Sequence, residues 1–309
     1  MARAMRGLKS FKLVHPEEEL GMIIKLRPGL KAFLERCAQN FELCVYTHAA
    51  DERYVKAAIK AIDPGGDLVG TRFAHASSAA EDRVKSLTDV YASFWGNGED
   101  NDAAAGEDVV DASRILVLDD SSNAWPRHKR NLIKCERYIF FPESAKNFGH
   151  DPRRSLMLHA RDEVADRGLL SSLGRVFEDV STQFKAMWAA AQAPGSAGRV
   201  PKPDIRDAVD HVRKQVLGGV VLLFSAVLSK QEQQSKAYEK NRHYALAKAL
   251  GAKVVFDKRD DVTHVCCPNK STDKAGWART TGRFLVQPHW VDASHALWHR
   301  ADERGFAVP

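Results

Sequence analysis

The sequence predicts an α/β protein with two parallel-sheet domains and a helical segment between them. Short apolar runs alternate with helical patterns in residues 1–165 and again in residues 204–309. This alternation is typical of parallel βα units. Residues 166–203 instead contain a long helical pattern that ends in the small-residue and proline-rich linker APGSAGRVPKP, which predicts the domain boundary.

The composition is that of a soluble protein, and no association with membrane or nucleic acid is expected. Of the 309 residues, 44% are hydrophobic and 28% are charged. No run approaches the ~18 consecutive apolar residues that a membrane span needs. The net charge of +6 lies mostly after Asp204, without a stripe of basic and stacking aromatic residues. The five cysteines lack metal-ligand spacing and are expected to be free thiols.

Each predicted element of the first region rests on its own residue pattern. Apolar residues at helical spacing predict a helix in 25–40 and another in 52–62, and the second is stopped by DPGG at 63–66. The short apolar runs FELCVYTH, RILVLDD and NLIKCERYIFF predict strands. The small, acidic residues 96–108 predict a surface insertion without regular structure. An apolar stripe in 165–188 predicts a helix packed on the first domain.

Three polar residues stand at the carboxyl ends of these predicted strands, where function gathers in parallel sheets. Thr47 lies at the end of FELCVYTH, and Asp119 and Asp120 end RILVLDD. Two adjacent acids at the end of an apolar strand are costly to place, because like charges repel and desolvate poorly. A bound cation removes that cost, so the acid pair is a predicted cation site.

The second region shows another alternation of strands and helices. GGVVLLFSAVL is a predicted buried strand, SKAYEKNRHYALAKALGAK a helix closed by Gly251, and VVFD and THVCC short strands. GRFLVQPHWVDASHALWHR predicts a strand that runs into a helix. Its Trp290 is interpreted as a core anchor, as buried indoles usually are.

Six segments of the first region have a specific order and spacing. They are KLRPGLKAFL, FELCVYTHAADERYV, IDP, VKSL, ILVLDDSSNAWPRHKRNLI and YIFF. In these segments residues 1–165 resemble the FCP-homology catalytic domain of the TFIIF-associating RNA polymerase II C-terminal-domain phosphatases, within the HAD superfamily. The resemblance implies a HAD-like parallel sheet. It also implies a nuclear, Mg²⁺-dependent phosphatase that acts on phosphoserine or phosphothreonine in the polymerase's C-terminal repeat domain.

The resemblance also assigns roles to residues. In this family an Asp of a DxDxT motif attacks the phosphate and forms an aspartyl-phosphate. Thr47 and Lys85 match the hydroxyl and the lysine that hold the phosphoryl group. Asp119 and Asp120 match the acid pair of the Mg²⁺ site, and Asp120 is expected to be the direct ligand. Arg27 is open between a role in orienting the site and one in packing.

Two features depart from the family pattern. The DxDxT motif belongs to a first core strand, which is expected upstream of residue 1, and the DND of residues 100–102 follows no predicted strand and lacks the Thr. The alternative is a pseudophosphatase that binds phosphorylated nuclear partners without turnover. Family members also carry a Ser-Arg-Asp-like segment where this chain has RFAHASSAA, so Arg72 or His75 are candidates to replace it.

Residues 204–309 contain LFSAVL, LGAKVVF, DVTHVCCP and FLVQPHWVDASHALWHRADERGF, and in these they resemble BRCT domains. The Trp290 that opens a helix is the most telling residue. The resemblance places Ser225 and Lys274 at the positions that bind a phosphopeptide, with Ala226 where such modules usually have Gly. Plain scaffolding is the alternative for this domain.

The two resemblances together imply the partners. These are the phosphorylated C-terminal domain of RNA polymerase II, the transcription factor TFIIF, and a phosphopeptide bound by the BRCT domain. A third interpretation, a small-molecule HAD phosphatase, is disfavoured by the BRCT resemblance and by the lack of a substantial cap insertion.

Overall fold

The computed structural model describes residues 8–14, 19–49, 51–75, 84–95, 111–194, 200–235 and 237–309. The chain forms two compact units, Met1–Ser181 and Thr182–Pro309, called here the N-terminal and C-terminal units. This division falls inside a long helix, whereas the sequence predicts the boundary in the linker at 193–203. The predicted acidic insertion, with its DND, lies outside the described residues.

In the described part of the N-terminal unit, the strands form three two-stranded sheets. The first sheet is an antiparallel hairpin of β1 (Leu8–Val14) and β2 (Glu19–Lys25). The other two are parallel pairs, β3 (Val45–Thr47) with β4 (Phe73–His75) and β5 (Val117–Asp119) with β6 (Leu132–Lys134). The two parallel pairs confirm the predicted βα organisation, and the hairpin was not predicted.

Five helices accompany these sheets: α1 (Leu30–Ala38), α2 (Glu52–Ile62), α3 (Leu87–Trp95), α4 (Pro142–Asn147) and α5 (Leu169–Gln192). The bounds of α2 agree with the prediction. It begins at Asp51, whose carboxylate accepts the N–H groups of Arg53 and Tyr54, as an N-cap does. It ends before Asp63, whose carboxylate accepts three backbone N–H groups of the following turn. The DPGG stop is therefore a folded turn built around one buried carboxylate.

The described residues of the N-terminal unit include two groups of buried apolar side chains. Around β5 and β6, one cluster buries Leu87, Val90, Val117, Trp125 and Leu132. The first turns of α5 bury an apolar stripe that includes Leu173 and Val180, both fully buried. Phe177 meets the ring of Phe33 of α1 edge to face, with ring centroids 5.8 Å apart. This part of α5 is thus packed on the N-terminal unit, as predicted.

One predicted strand is much shorter in the structure. The sequence predicts NLIKCERYIFF as a single strand, but β6 contains only Leu132–Lys134. The residues after Lys134 make contacts with distant parts of the unit and are not part of a strand. The backbone oxygen of Glu136 accepts a guanidinium N–H of Arg27 at 2.8 Å, and the hydroxyl of Tyr138 donates to Asp162 at 2.6 Å.

The C-terminal unit contains one four-stranded parallel sheet, with strand order β10-β9-β7-β8. Its strands are β7 (Val221–Phe224), β8 (Lys253–Val255), β9 (His264–Cys266) and β10 (Phe284–Val286). Its helices are α6 (Ile205–Gln215), α7 (Lys230–Gln234), α8 (Arg242–Ala249), α9 (Asp273–Thr280) and α10 (His289–Leu297). Leu222, Leu223 and Val265 are fully buried, as in a parallel sheet covered on both faces.

Trp290, on α10, lies in the core of the C-terminal unit. Its side chain is fully buried, and the indole N–H donates to the backbone oxygen of Ala301 at 2.8 Å. Its ring stacks on the buried His264, with centroids 4.8 Å apart. Burial and a satisfied N–H give Trp290 the contacts of a structural residue.

The predicted helix at 235–253 is shorter in the structure, where α8 follows a separate 3₁₀ turn at Ala237–Lys240. Its predicted end at Gly251 is confirmed. Gly251 has φ of +95°, and a Cβ added there would overlap the backbone oxygen of Lys214. Only glycine fits both conditions.

Gly251→Ala is expected to lower the free energy of unfolding of the C-terminal unit by about 3 kcal/mol, because it adds left-handed strain and a backbone clash. Urea denaturation followed by circular dichroism measures this loss. Gly219→Ala is the matched control, since Gly219 has φ of +79° but nothing within 4 Å of an added Cβ. That control should cost about 1 kcal/mol, from backbone strain alone. Equal costs for the two variants would contradict the role of the Lys214 contact.

Across the part of the chain that the structure describes, no helix is long and apolar enough to cross a membrane.

Candidate active site

Lys85 and Asp119 form an ion pair at the end of β5. The Nζ of Lys85 donates to Oδ2 of Asp119 at 2.8 Å, and the two side chains are 16% and 11% exposed. The backbone of Lys85 is also fixed, because its N–H donates to the backbone oxygen of Ala124 at 2.7 Å. The structure thus brings together two predicted site residues that lie 34 positions apart in the sequence.

Asp119 receives two further hydrogen bonds. The indole N–H of Trp125 donates to Oδ2 at 2.9 Å, and the backbone N–H of Ser121 donates to Oδ1 at 2.8 Å. Burial by itself would raise the pKa of Asp119, but the hydrogen bonds from Lys85, Trp125 and Ser121 outweigh burial and hold the pKa below its ordinary value. Asp119 is therefore an ionised acceptor with a fixed orientation at neutral pH.

Asp120 has a different partner. Its carboxylate is hydrogen-bonded to the guanidinium of Arg137, three residues past β6. That guanidinium also lies over the ring of Phe148, 3.7 Å from the centroid. The two neighbouring acids thus pair with two separate cations, Asp119 with Lys85 and Asp120 with Arg137. Lys85 and Arg137 therefore offset the repulsion between the two adjacent carboxylates. The sequence predicted a bound ion for this purpose.

Sequence reasoning missed Arg137. Its position in the sequence could have indicated this role, because Arg137 follows β6, and β6 pairs in parallel with β5, the strand that leads into the acid pair. Residues that follow neighbouring parallel strands meet at the same edge of a sheet. A cationic residue there is a candidate partner for an acid on the neighbouring strand.

Thr47 ends β3, as predicted, and makes a local hydrogen bond. Its Oγ1 accepts the backbone N–H of Ala49 at 3.1 Å, which leaves its hydroxyl hydrogen to donate elsewhere. The preceding Tyr46 packs beside Trp125, with ring centroids 6.4 Å apart. Trp125 also donates to Asp119, so a chain of side-chain contacts links β3 to the Lys85–Asp119 pair.

The acid pair fits Mg²⁺ as part of a donor set. Mg²⁺ prefers oxygen ligands, is usually bound through one or two carboxylates, and keeps several waters. Oδ1 of Asp119 accepts one hydrogen bond and can accept another ligand, and the side chain of Asp120 is 26% exposed. The described residues contain no group of three or more His, Cys, Asp or Glu placed to hold a metal. A Mg²⁺ ion held by Asp119 and Asp120 would complete its coordination with oxygens of water, substrate or other protein groups.

Arg27 is engaged in packing. Its guanidinium forms a forked pair with Glu163, at 3.1 and 2.5 Å, and lies over the ring of Tyr138. The nearby Lys25 and Asp162 form a buried ion pair at 2.7 Å. These contacts join the start of α1 to the segment before α5. For Arg27 the packing interpretation is the one that the contacts favour.

The structure also places Ser225 and Lys274 in one corner of the C-terminal unit. Ser225 is 4% exposed, and its hydroxyl donates to Oγ1 of Thr272 at 2.8 Å. The ammonium of Lys274 donates to the backbone oxygens of Phe224 and Phe256, and burial lowers its pKa. Both groups are thus engaged inside the protein, so an anion bound here would have to take over some of these hydrogen bonds.

Ala226, beside Ser225, has φ of +56°, in the left-handed region that glycine prefers. BRCT modules, which this region resembles in sequence, usually have Gly at this position. The backbone therefore keeps the glycine-like conformation although the residue is Ala.

Comparison with known proteins agrees with the first resemblance. Residues 3–151 match the NLI interacting factor-like phosphatase family. The chain is 31% identical over 310 residues to RNA polymerase II C-terminal domain phosphatase-like 3 of Arabidopsis thaliana, covering 96% of the chain and 22% of that protein. It is also 31% identical over 291 residues to phosphatase-like 4 of the same plant, covering 94% and 59%. The chain thus spans about a fifth of the length of the first relative and about three fifths of the second.

Among solved structures, the chain is similar to the structure of Fcp1, an essential RNA polymerase II CTD phosphatase. The TM-score is 0.62 at 23% identity, and the match covers 99% of the chain and 87% of the other. This similarity confirms the predicted α/β fold class. Residues 3–151 form an NLI interacting factor-like phosphatase domain, in a chain homologous to RNA polymerase II C-terminal domain phosphatase-like proteins.

Proposed function

We propose that the protein is a nuclear, Mg²⁺-dependent phosphatase that removes phosphate from serine or threonine in the C-terminal repeat domain of RNA polymerase II. The Lys85–Asp119 pair carries this proposal, because it presents a fixed ammonium at the carboxyl end of a strand in a domain of a phosphatase family. TFIIF is proposed as a partner on the family resemblance alone.

The nucleophilic aspartate is proposed to come from a strand upstream of residue 1. Among the described residues, the β3–β4 pair and the β5–β6 pair do not hydrogen-bond to each other. A strand inserted between β3 and β5 would join the pairs into one sheet. Its carboxyl end would then lie beside both Thr47 and Lys85, where an aspartate can attack a bound phosphate.

The residues of this chain would bind and orient the phosphoryl group. Lys85 donates to its oxygens and stays aligned through Asp119, while the Thr47 hydroxyl donates from the end of β3. Asp120, together with the second lone pair on Oδ1 of Asp119, would hold Mg²⁺. When bound, the ion supplies charge neutralisation to the phosphoryl oxygens.

The test is phosphate release by the full-length protein from two substrates, a phosphoserine peptide of the polymerase repeat and a sugar phosphate. The proposal expects turnover of the peptide and much slower turnover of the sugar phosphate. A reversed preference would favour a small-molecule phosphatase. Binding of the peptide without release of phosphate would favour the pseudophosphatase.

The corner formed by Ser225, Thr272 and Lys274 supports a second proposed role, phosphopeptide binding by the C-terminal unit. A hydroxyl and an ammonium beside a left-handed turn can converge on one phosphate. Plain scaffolding remains the alternative.

The double change Ser225→Ala with Lys274→Met is expected to weaken binding of a phosphoserine peptide about tenfold or more, since each removes a hydrogen bond to a charged group. Fluorescence anisotropy with phosphorylated and unphosphorylated peptides measures the effect. Lys270→Met with Ser271→Ala is the control, because both residues are exposed neighbours on the same loop. Equal affinity of the unaltered protein for the two peptides would leave the scaffold interpretation.

A further inference from the structure

Asp120 is already occupied by a cation of the protein itself. The guanidinium of Arg137 is hydrogen-bonded to its carboxylate, and the two side chains are 30% and 26% exposed. Phe148, at the end of α4, stacks under the same guanidinium with its ring 55% exposed. Arg137 is therefore held by two contacts, a carboxylate on one side and an aromatic face on the other.

This arrangement balances the charge of the acid pair without a metal ion. Lys85 neutralises Asp119, and Arg137 neutralises Asp120. The guanidinium of Arg137 thus presents a positive charge directly beside the Asp120 carboxylate. A divalent cation that approaches the Asp120 carboxylate must share it with this fixed positive charge or displace it.

We propose that Arg137 is a positioning residue that competes with the divalent cation for Asp120 and thereby sets the metal affinity of the site. This inference rests on the proposed function, in which Asp120 is a metal ligand. In the metal-free protein, Arg137 orients the carboxylate and prevents two bare acids from repelling each other. When a divalent ion binds, the guanidinium gives up the carboxylate and stays on the ring of Phe148.

Phe148 makes this exchange reversible. A cation over an aromatic face is attracted to it at exposed sites as well as buried ones, so the displaced guanidinium keeps one of its two contacts. It remains close enough to return when the ion leaves. Without that ring, a guanidinium displaced from Asp120 would keep neither of the two contacts.

The competition is tested with Mn²⁺ as the probe, since its free form is counted directly by electron paramagnetic resonance. Binding is measured for the unaltered chain, for Arg137→Gln and for Arg153→Gln. The last is the matched control, an arginine of the same unit that is paired with Asp151 at 2.7 Å. Arg137→Gln is expected to bind Mn²⁺ roughly five- to tenfold more tightly, because one nearby positive charge is gone. Arg153→Gln should bind as the unaltered chain does.

Two further variants check that the effect arises at Asp120. Arg137→Lys keeps the charge, so its affinity should stay close to that of the unaltered chain. Asp120→Asn should abolish the gain when combined with Arg137→Gln. Unchanged or weaker binding by Arg137→Gln overturns the proposal, and so does an absence of Mn²⁺ binding in both it and the unaltered chain.

A second measurement needs no variant and covers the case in which Arg137→Gln does not fold. The Nε–H resonance of Arg137 is followed by ¹⁵N nuclear magnetic resonance while Mg²⁺ is added. The proposal expects it to move from the position of a carboxylate-bonded guanidinium to that of a solvated one. A resonance that stays in place while Mg²⁺ binds overturns the proposal. Peptide turnover by the full-length protein is a separate readout, so the proposed phosphatase function and the competition can fail independently.

Discussion

Lys85→Met in the full-length protein is expected to lower kcat for a phosphoserine peptide by about 10²- to 10³-fold, the usual cost of one charge-stabilising donor. The substitution removes the ammonium that lies 2.8 Å from Asp119 and faces the proposed phosphate position. Methionine keeps the length of the side chain but cannot neutralise charge on the transferring group. Steady-state assays under saturating peptide measure the loss.

The control for this variant is Lys56→Met. Lys56 is exposed on α2 and pairs with Glu52 at 2.8 Å, so the change removes an equivalent charge from a surface ion pair. Its kcat should stay within about twofold of the unaltered value, because such pairs contribute little. Lys85→Met also leaves the half-buried Asp119 with one fewer donor, which is expected to cost about 1–3 kcal/mol of stability. A kcat that falls equally in both variants, or in neither, would contradict the role of Lys85.

Asp120→Asn is expected to remove the Mg²⁺ dependence of turnover and to lower kcat by about 10²-fold or more, because the site loses a charged ligand. The fold should persist. The lost ion pair with Arg137 is partly exposed, and such pairs are worth about 1 kcal/mol or less. The guanidinium also keeps its contact with Phe148.

Turnover measured across a range of Mg²⁺ concentrations, with a thermal melt of each sample, tests this second expectation. Asp166→Asn is the control, because its side chain is 79% exposed and carries the same charge. Undiminished, Mg²⁺-dependent turnover by Asp120→Asn would sink the assignment of Asp120 to the metal site. If Asp120→Asn lacks a melting transition, its loss of activity reflects unfolding. The test then uses the kcat of Asp120→Glu, which keeps the charge but displaces the carboxylate oxygens.

The elements predicted best are those with a complete local signal. The bounds of α2 follow from the spacing of its apolar residues and from a stop that is folded around Asp63. The end of α8 follows from Gly251, where both the left-handed backbone and the space beside it require glycine. In these places the sequence pattern and the tertiary contacts favour the same structure.

The errors arise where distant contacts decide the backbone. The predicted strand ends at Lys134, and beyond it Glu136, Arg137 and Tyr138 contact residues that the local pattern does not reveal. The β1–β2 hairpin was not predicted because neither strand carries a clean alternation of apolar and polar residues.

The family resemblance assigns Lys85 to phosphoryl binding and Asp119 to the metal site, and the structure places their side chains 2.8 Å apart. The two adjacent acids predict a bound cation beside them. The structure supplies two cationic side chains, Lys85 and Arg137, from other segments of the chain. Arg137 lies 17 positions from Asp120, and only the pairing of β5 with β6 brings it near.

The measurement to make first is the intact mass of the protein isolated from its own cells. We expect a mass well above the 34.3 kDa of this chain, with added N-terminal sequence that contains Asp-x-Asp-x-Thr on a predicted strand. That result would provide the nucleophile that the Lys85–Asp119 site requires. A mass of 34.3 kDa would contradict the proposed phosphatase and would favour a scaffold that binds phosphorylated partners without turnover.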